Sequence, residues 1–192
     1  MAIITWRETL TVSRVSTSSV QPSSGRTSCI PAPNRITLPS CYFYPGLILK
    51  FTIGGLFNVA NTANVDPSTR FELCMGVNGA TVIFDTGTIS LVNPGATRIG
   101  RPFKLEIDLV CRTVGINTGT RFFPTATLQS ENLVGSPAFT SGGNTSLIVP
   151  VGVPELTAGT DNTFASILDV FCTMKGNNAG MQVDNYRVEA LN

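Results

Sequence analysis

Histidine is missing from the 192 residues of this chain. Its absence removes the imidazole general base, His-dependent nucleophile triads and His metal ligands together. Charge is thin as well. Asp, Glu, Lys and Arg make up 13% of the residues, against a usual share of about 25%. A coiled coil, rich in Glu and Lys, is excluded on that ground. Mean hydropathy is nevertheless positive, +0.21, and 42% of the residues are apolar. The chain therefore has the material for a buried core and does not read as a disordered polypeptide. No run of eighteen apolar residues occurs, so no membrane-spanning helix is expected. Met1–Glu8 has neither a basic region nor a long apolar stretch, so no signal peptide is expected. The five cysteines, at 29, 41, 74, 111 and 172, include no CxxC pair. Neither a zinc site nor a redox motif is legible, and buried thiols in a reducing compartment are the expectation.

What is present is a period of two. Phe103, Leu105, Ile107, Leu109 and Cys111 alternate with Lys104, Glu106, Asp108, Val110 and Arg112, which describes a half-buried strand with a charged outer face. Phe71, Leu73, Met75 and Val77 alternate with Glu72, Cys74 and Gly76 in the same way. Further strands are expected over 47–57, 80–84, 88–92, 121–130, 146–151, 162–175 and 181–191, divided by turn residues. Asn78-Gly79 is the best hairpin signal, because both residues tolerate positive φ. No apolar stripe of helical period reaches ten residues; 155–158 could form one helical turn. Strands without intervening helices pair antiparallel. The expected fold is all-β, an antiparallel β-sandwich or jelly roll.

The first forty residues differ from the rest. They hold Arg7, Arg14, Arg26 and Arg35 against Glu8 alone, and 22–39 mixes Pro, Ser, Gly and Arg. Residues 1–40 are therefore expected as an extended N-terminal arm or linker with one strand over 5–15, and 41–192 as the jelly-roll domain. Net charge is +1, so no global field draws the chain to nucleic acid or anionic lipid. One strand breaks the half-buried rule. Over 162–175 one face carries Phe164, Leu168, Val170, Cys172 and Met174, and the other carries Ala165, Ile167 and Phe171. Such a strand must be covered twice. Either a long loop covers it, or another subunit does, with Ile167 and Phe171 as the oligomer interface.

Chemistry has few places to sit. Glu106 and Asp108 share a strand face about 7 Å apart, a separation compatible with two-carboxylate glycoside hydrolysis, but beside Lys104 and Arg112 they read as a charge ladder. Asn61, Asn64 and Asp66, or Asp161 and Asn162, could offer oxygens to calcium, yet neither set has the spacing of a dedicated loop, and turn capping is the simpler role. Gly54-Gly55 continues into no phosphate-binding motif. No catalytic residue, cofactor or metal is expected, and no enzyme. The aromatic clusters 42–44 and 122–123 are expected to pack in the core or at a hinge.

Three segments carry a resemblance: Tyr44-Pro45-Gly46-Leu47-Ile48-Leu49-Lys50-Phe51-Thr52-Ile53-Gly54-Gly55, then 71–76, then Arg101-Pro102-Phe103-Lys104-Leu105-Glu106-Ile107-Asp108-Leu109 with Arg112 and Gly115 following. In these, residues 42–192 resemble the jelly-roll structural proteins of tailed bacteriophage particles, in which a strand ending in Gly-Gly opens the domain. The resemblance implies a tumour-necrosis-factor-like homotrimer, non-enzymatic, placed in the virion and made in the host cytoplasm. It implies a capsid decoration (cement) protein on the capsid surface, bridging capsomers. Its partners would be its own copies and the major capsid protein or a neighbouring virion protein, with no direct nucleic acid and no membrane. The arm is not covered by the resemblance; from its own composition, Ile3, Ile4, Trp6, Arg7 and Arg14 are the residues expected to dock it. Rival expectations are a tail or fibre protein reading host glycans through loops 58–68 or 136–144, a capsid-forming jelly roll, and a hydrolase using Glu106 and Asp108. A native mass three times that of one chain is the expected result; a monomer would contradict the trimer.

Overall fold

The computed structural model describes residues 7–13, 18–20, 25–59, 67–76, 81–91, 98–131, 133, 145–149, 159–176 and 180–191. In chain order these form β1 (Arg7–Ser13), β2 (Ser18–Val20), β3 (Thr27–Ser28), β4 (Ile36–Leu38), β5 (Ile48–Val59), β6 (Ser68–Met75), β7 (Thr81–Asp85), β8 (Ile89–Ser90), β9 (Arg98–Thr113), β10 (Arg121–Ser130), β11 (Thr145–Val149), β12 (Ser166–Lys175) and β13 (Gly180–Leu191). One sheet runs β1-β13-β5-β9-β10-β11, with β2 also on β13; the other runs β3-β12-β6-β7, with β4 on β12 and β8 on β6. The strand pairs are antiparallel. The fold is the expected all-β sandwich of the jelly-roll class.

Alternation places the core. Leu49, Phe51, Ile53 and Phe57 of β5 and Phe103, Leu105, Ile107 and Leu109 of β9 face Phe71, Leu73 and Met75 of β6 and Leu168, Val170 and Met174 of β12, all buried. Phe103 ties the layers together: its ring stacks on Phe57 at 4.4 Å and meets Phe71 at 5.9 Å. The opposite side of β9 is the charge ladder. Lys104 reaches Glu106 at 3.0 Å, and Lys50 of β5 approaches the same carboxylate at 3.9 Å. The expected hairpin joins β6 and β7, which pair antiparallel; its turn at Asn78-Gly79 lies outside the described residues, as does the turn over 155–158.

Gly54-Gly55 does not end its strand. The pair sits inside β5, opposite a bulge of β13 between Val183 and Asn185. A Cβ at Gly55 would lie 2.0 Å from the Gln182 carbonyl oxygen and 2.9 Å from the Phe103 ring. Close approach of two backbones, rather than a strand end, is the reason for glycine there.

The expected boundary at residue 41 is not where packing changes. β1 pairs along β13 from Arg7↔Leu191 to Ser13↔Tyr186. β3 and β4 extend the smaller sheet beyond β12, and Cys29, Ile30, Ile36 and Leu38 are buried in the common core. Segment 25–38 read as linker because its Pro, Ser and Gly dilute these four apolar side chains. Ile3, Ile4, Trp6 and Arg14 lie outside the described residues.

Arg7, expected to help dock the arm on a neighbouring protein, makes two hydrogen bonds to the Glu189 carboxylate of β13 within its own chain. That bond, foremost, and the nearby Arg187 hold Glu189 below the usual carboxylate range. The folded state thus holds this proton less tightly than the unfolded chain. The stabilisation is complete above the ordinary glutamate value of about 4.3 and is lost as pH falls through the lower folded value. Hydrogen exchange should show the β1 amides losing protection in acid before those of β5 and β9, and Arg7→Ala should remove the pH dependence of that step. Gly55→Ala should cost about 1–3 kcal/mol in urea unfolding, as overpacking does. Deletion of 2–20 should lower the melting temperature, because it strips the edge of β13; an unchanged melting curve would contradict the packing of β1.

Candidate functional site: the loop tip

The outer face of the smaller sheet holds a network rather than a bare apolar patch. Glu72 of β6 and Asp169 of β12 both point outward, yet they are 8% and 2% exposed. Buried carboxylates need partners. Arg26 bonds Glu72 at 2.8 Å, and Arg35 bonds Asp169 at 2.8 Å. Ser28 donates its hydroxyl to Asp169 at 2.6 Å. Desolvation raises the Asp169 carboxyl above its usual value, opposed by the Ser28 hydrogen bond and then by Arg35. Arg26 also lies over the Phe171 ring at 4.1 Å and donates to the Cys74 sulfur. Burial pushes the Cys74 thiol up to about 11 against that pull, so the thiol is protonated and unreactive at neutral pH.

This bears on two expectations. Ile167 and Phe171 do lie on the outer face of β12, but both are half-buried. Phe171 has Arg26 over it, and Ile167 pairs with Thr37 of β4. Residues 25–38 of the same chain therefore supply cover, and the strand is not left bare. Arg26 and Arg35 are likewise engaged within the chain. Cys29, Cys74, Cys111 and Cys172 are buried free thiols, as expected, whereas Cys41 is exposed. Among the described residues no three acidic or cysteine side chains come together as a metal cluster.

A different place collects exposed groups. Loop 114–119, between β9 and β10, lies against 159–165, the approach to β12. Thr120 and Thr160 exchange backbone hydrogen bonds at 3.1 and 2.9 Å, and the Asn162 N–H reaches the Gly115 carbonyl at 3.3 Å. The carboxylate of Asp161 is the clasp. Oδ2 accepts from the Asn117 N–H at 2.7 Å, and Oδ1 accepts from the Thr163 N–H at 2.8 Å and its hydroxyl at 2.6 Å. These bonds, those of Thr163 first, hold the carboxyl below its usual value. Asn162 turns inward and is 8% exposed. Its amide donates to the Phe43 carbonyl and accepts from the Phe43 N–H, both at 3.1 Å. Phe43 in turn packs edge-on to Phe122 at 5.0 Å. Gly159 passes beneath the other loop so closely that a Cβ there would lie 1.9 Å from the Thr118 carbonyl oxygen.

The clasp encloses an open cleft of about 240 Å³ lined by Asn117, Thr118, Thr160, Asp161, Phe164 and Ser166, among others. Five large apolar side chains are exposed among the described residues, and three of them sit here: Val114 at 38%, Ile116 at 67% and Phe164 at 62%. Sequence reading took Asp161 and Asn162 correctly as turn formers. It missed Phe164, which it counted in the inner row of β12 with Leu168; β12 begins only at Ser166. The signal was the run Thr160-Asp161-Asn162-Thr163, whose turn chemistry places the following aromatic outside the strand. Of the loops expected as a reading surface, 58–68 lies outside the described residues at 60–66, and 136–144 lies outside them entirely.

No protein-family model and no curated protein matches the chain. Among solved structures it is similar to the CBM2 module of the evolved Dit of Lactobacillus casei BL23 phage J-1, with 11% identity, 99% of this chain and 98% of that one covered, and a TM-score of 0.37. It is similar to peanut lectin solved with a 9mer peptide, with 9% identity, 98% and 92% coverage and a TM-score of 0.35. A third is Scytalido-glutamic peptidase with a peptide-based transition state analog, with 8% identity, 77% and 64% coverage and a TM-score of 0.28. Identities of this size transfer no residue role.

Asn162→Ala would leave the Phe43 N–H and C=O without partners. Each buried orphan costs about 1–3 kcal/mol, so a loss of at least about 2 kcal/mol is expected in denaturant unfolding. A variant as stable as the parent would show that the clamp does not hold the tip.

Proposed function

We propose that this chain is a non-enzymatic virion protein that works by recognition, holding a host-surface saccharide in the cleft at its loop tip. The observation that carries the reading is Phe164, a ring left 62% exposed at the edge of a polar cleft. An aromatic face carries partial negative charge and attracts the polarised C–H groups of a pyranose. The Thr118 hydroxyl, the amide of Asn117 and the Asp161 carboxylate offer donors and acceptors that sugar hydroxyls need. The cleft is smaller than the roughly 300–1,000 Å³ of drug-sized pockets, which suits a single ring at a chain end. The tip is held by bonds already made, so little ordering entropy is lost on binding.

Placement in a bacteriophage particle, assembly as a homotrimer and attachment to the major capsid protein or another virion protein are parts of this proposal drawn from the sequence resemblance. Three copies would multiply a weak single-site affinity through effective concentration. The decoration role has less support than the recognition role, because Arg7, Arg26 and Arg35 are committed to Glu189, Glu72 and Asp169. The hydrolase alternative also has little support, since Glu106 lies in its ladder with Lys50 and Lys104.

Glycan-array binding by the purified chain tests the proposal. Phe164→Ala should weaken binding about tenfold, in line with roughly 1.5 kcal/mol for an aromatic contact, while the melting temperature stays unchanged because the ring is exposed. Absence of binding to every glycan, or binding indifferent to Phe164, would overturn it.

A further inference from the structure

Among the described residues no lysine or arginine lines the cleft at the tip. No lysine or arginine occurs from residue 71 to 97, from 113 to 120, or from 122 to 174. The described residues that line the cleft, Gly76, Thr81, Asn117, Thr118 and those at 159–161 and 164–166, all come from those stretches. Among the described residues the lining therefore holds one formal charge, the Asp161 carboxylate, with Gly, Thr, Asn, Ala, Ser and Phe around it. In the sequence just ahead of Gly159, 134–158 contains Glu155 and no base. Arg121, one residue past Thr120, is exposed and does not line the cleft. The Asp161 charge is also fixed in place, because three donors converge on it.

We infer that the tip selects uncharged saccharides and discriminates against those carrying sialic acid, sulfate or phosphate beside the bound ring. The inference rests on the saccharide reading above and sharpens it. Recognition of an anionic sugar requires a cation or a cluster of N–H donors to replace the water lost from the anion. Here the Asn117 and Thr163 N–H groups that could serve are already spent on Asp161. An incoming anion would meet a fixed carboxylate instead, and like charges about 4 Å apart weaken binding about fivefold even in water. Neutral hydroxyls suffer no such loss, and they can donate to the carboxylate's remaining lone pairs.

The test compares uncharged oligosaccharides of glucose, galactose and N-acetylglucosamine with the same backbones carrying terminal sialic acid, sulfate or phosphate, using the full chain at low and high salt. The expected result is binding to an uncharged member, with its anionic derivative at least fivefold weaker at low salt. That gap should narrow as salt screens the carboxylate. Thr118→Lys leaves the Asp161 clasp intact and places a cation at the cleft; it should reverse the preference. Asp161→Asn should reduce the gap, and circular dichroism would show whether its loop remains folded. An anionic derivative that binds the parent chain as well as its neutral backbone, or better, overturns the charge inference and leaves saccharide recognition standing. Binding to no member of either set overturns both.

Discussion

The structure depends on two carboxylates that point away from the hydrophobic core and still lose their water. Glu72 and Asp169 stand on adjacent strands of the smaller sheet, and an unpaired charge so buried would cost several kcal/mol. Arg70 of β6 meets part of the need, reaching Glu72 at 3.2 Å; segment 25–38 meets the rest, with Arg26, Arg35 and the Ser28 hydroxyl. Fixing those three groups draws the segment along the edge of β12, and that brings Cys29, Ile30, Ile36 and Leu38 into the core. The polar requirement and the apolar one are met by the same backbone path. A stretch that composition describes as a tether is thereby part of the sandwich.

The same strand links this network to the tip. β12 runs from the clasped loop at its start, past Asp169 under Arg35, to Thr173 beside Arg70. Asn162 pins the chain just ahead of it to the backbone of Phe43. The cleft is thus anchored at two points of the core, and neither anchor uses a group that a ligand would touch.

Much of the architecture was legible because alternation is a local signal. β10 occupies the residues expected of it, and β9 presents Lys104 and Glu106 on the face the pattern assigned. The doubly apolar character of β12 was also legible, but not what covers it, since Arg26 and Arg35 are remote in sequence from the acids they neutralise. Composition alone weighs Pro, Ser and Gly as linker and gives no weight to a few well-spaced apolar residues. Phe164 was misplaced for a related reason. A period-two count extends past a strand's true start whenever the preceding turn happens to carry an aromatic at the right parity. The Gly54-Gly55 pair was noted, yet its cause lies in the bulge of a strand more than a hundred residues away.

The division of labour at the tip has an evolutionary consequence. Asp161, Asn162, Thr120 and Thr163 make the side-chain bonds that shape it, together with backbone groups. Ile116, Thr118 and Phe164 project from that frame as free variables. Under the saccharide recognition proposed above, exchanging those three would change the target while the frame stays rigid, and specificity would drift on a scaffold that scarcely changes.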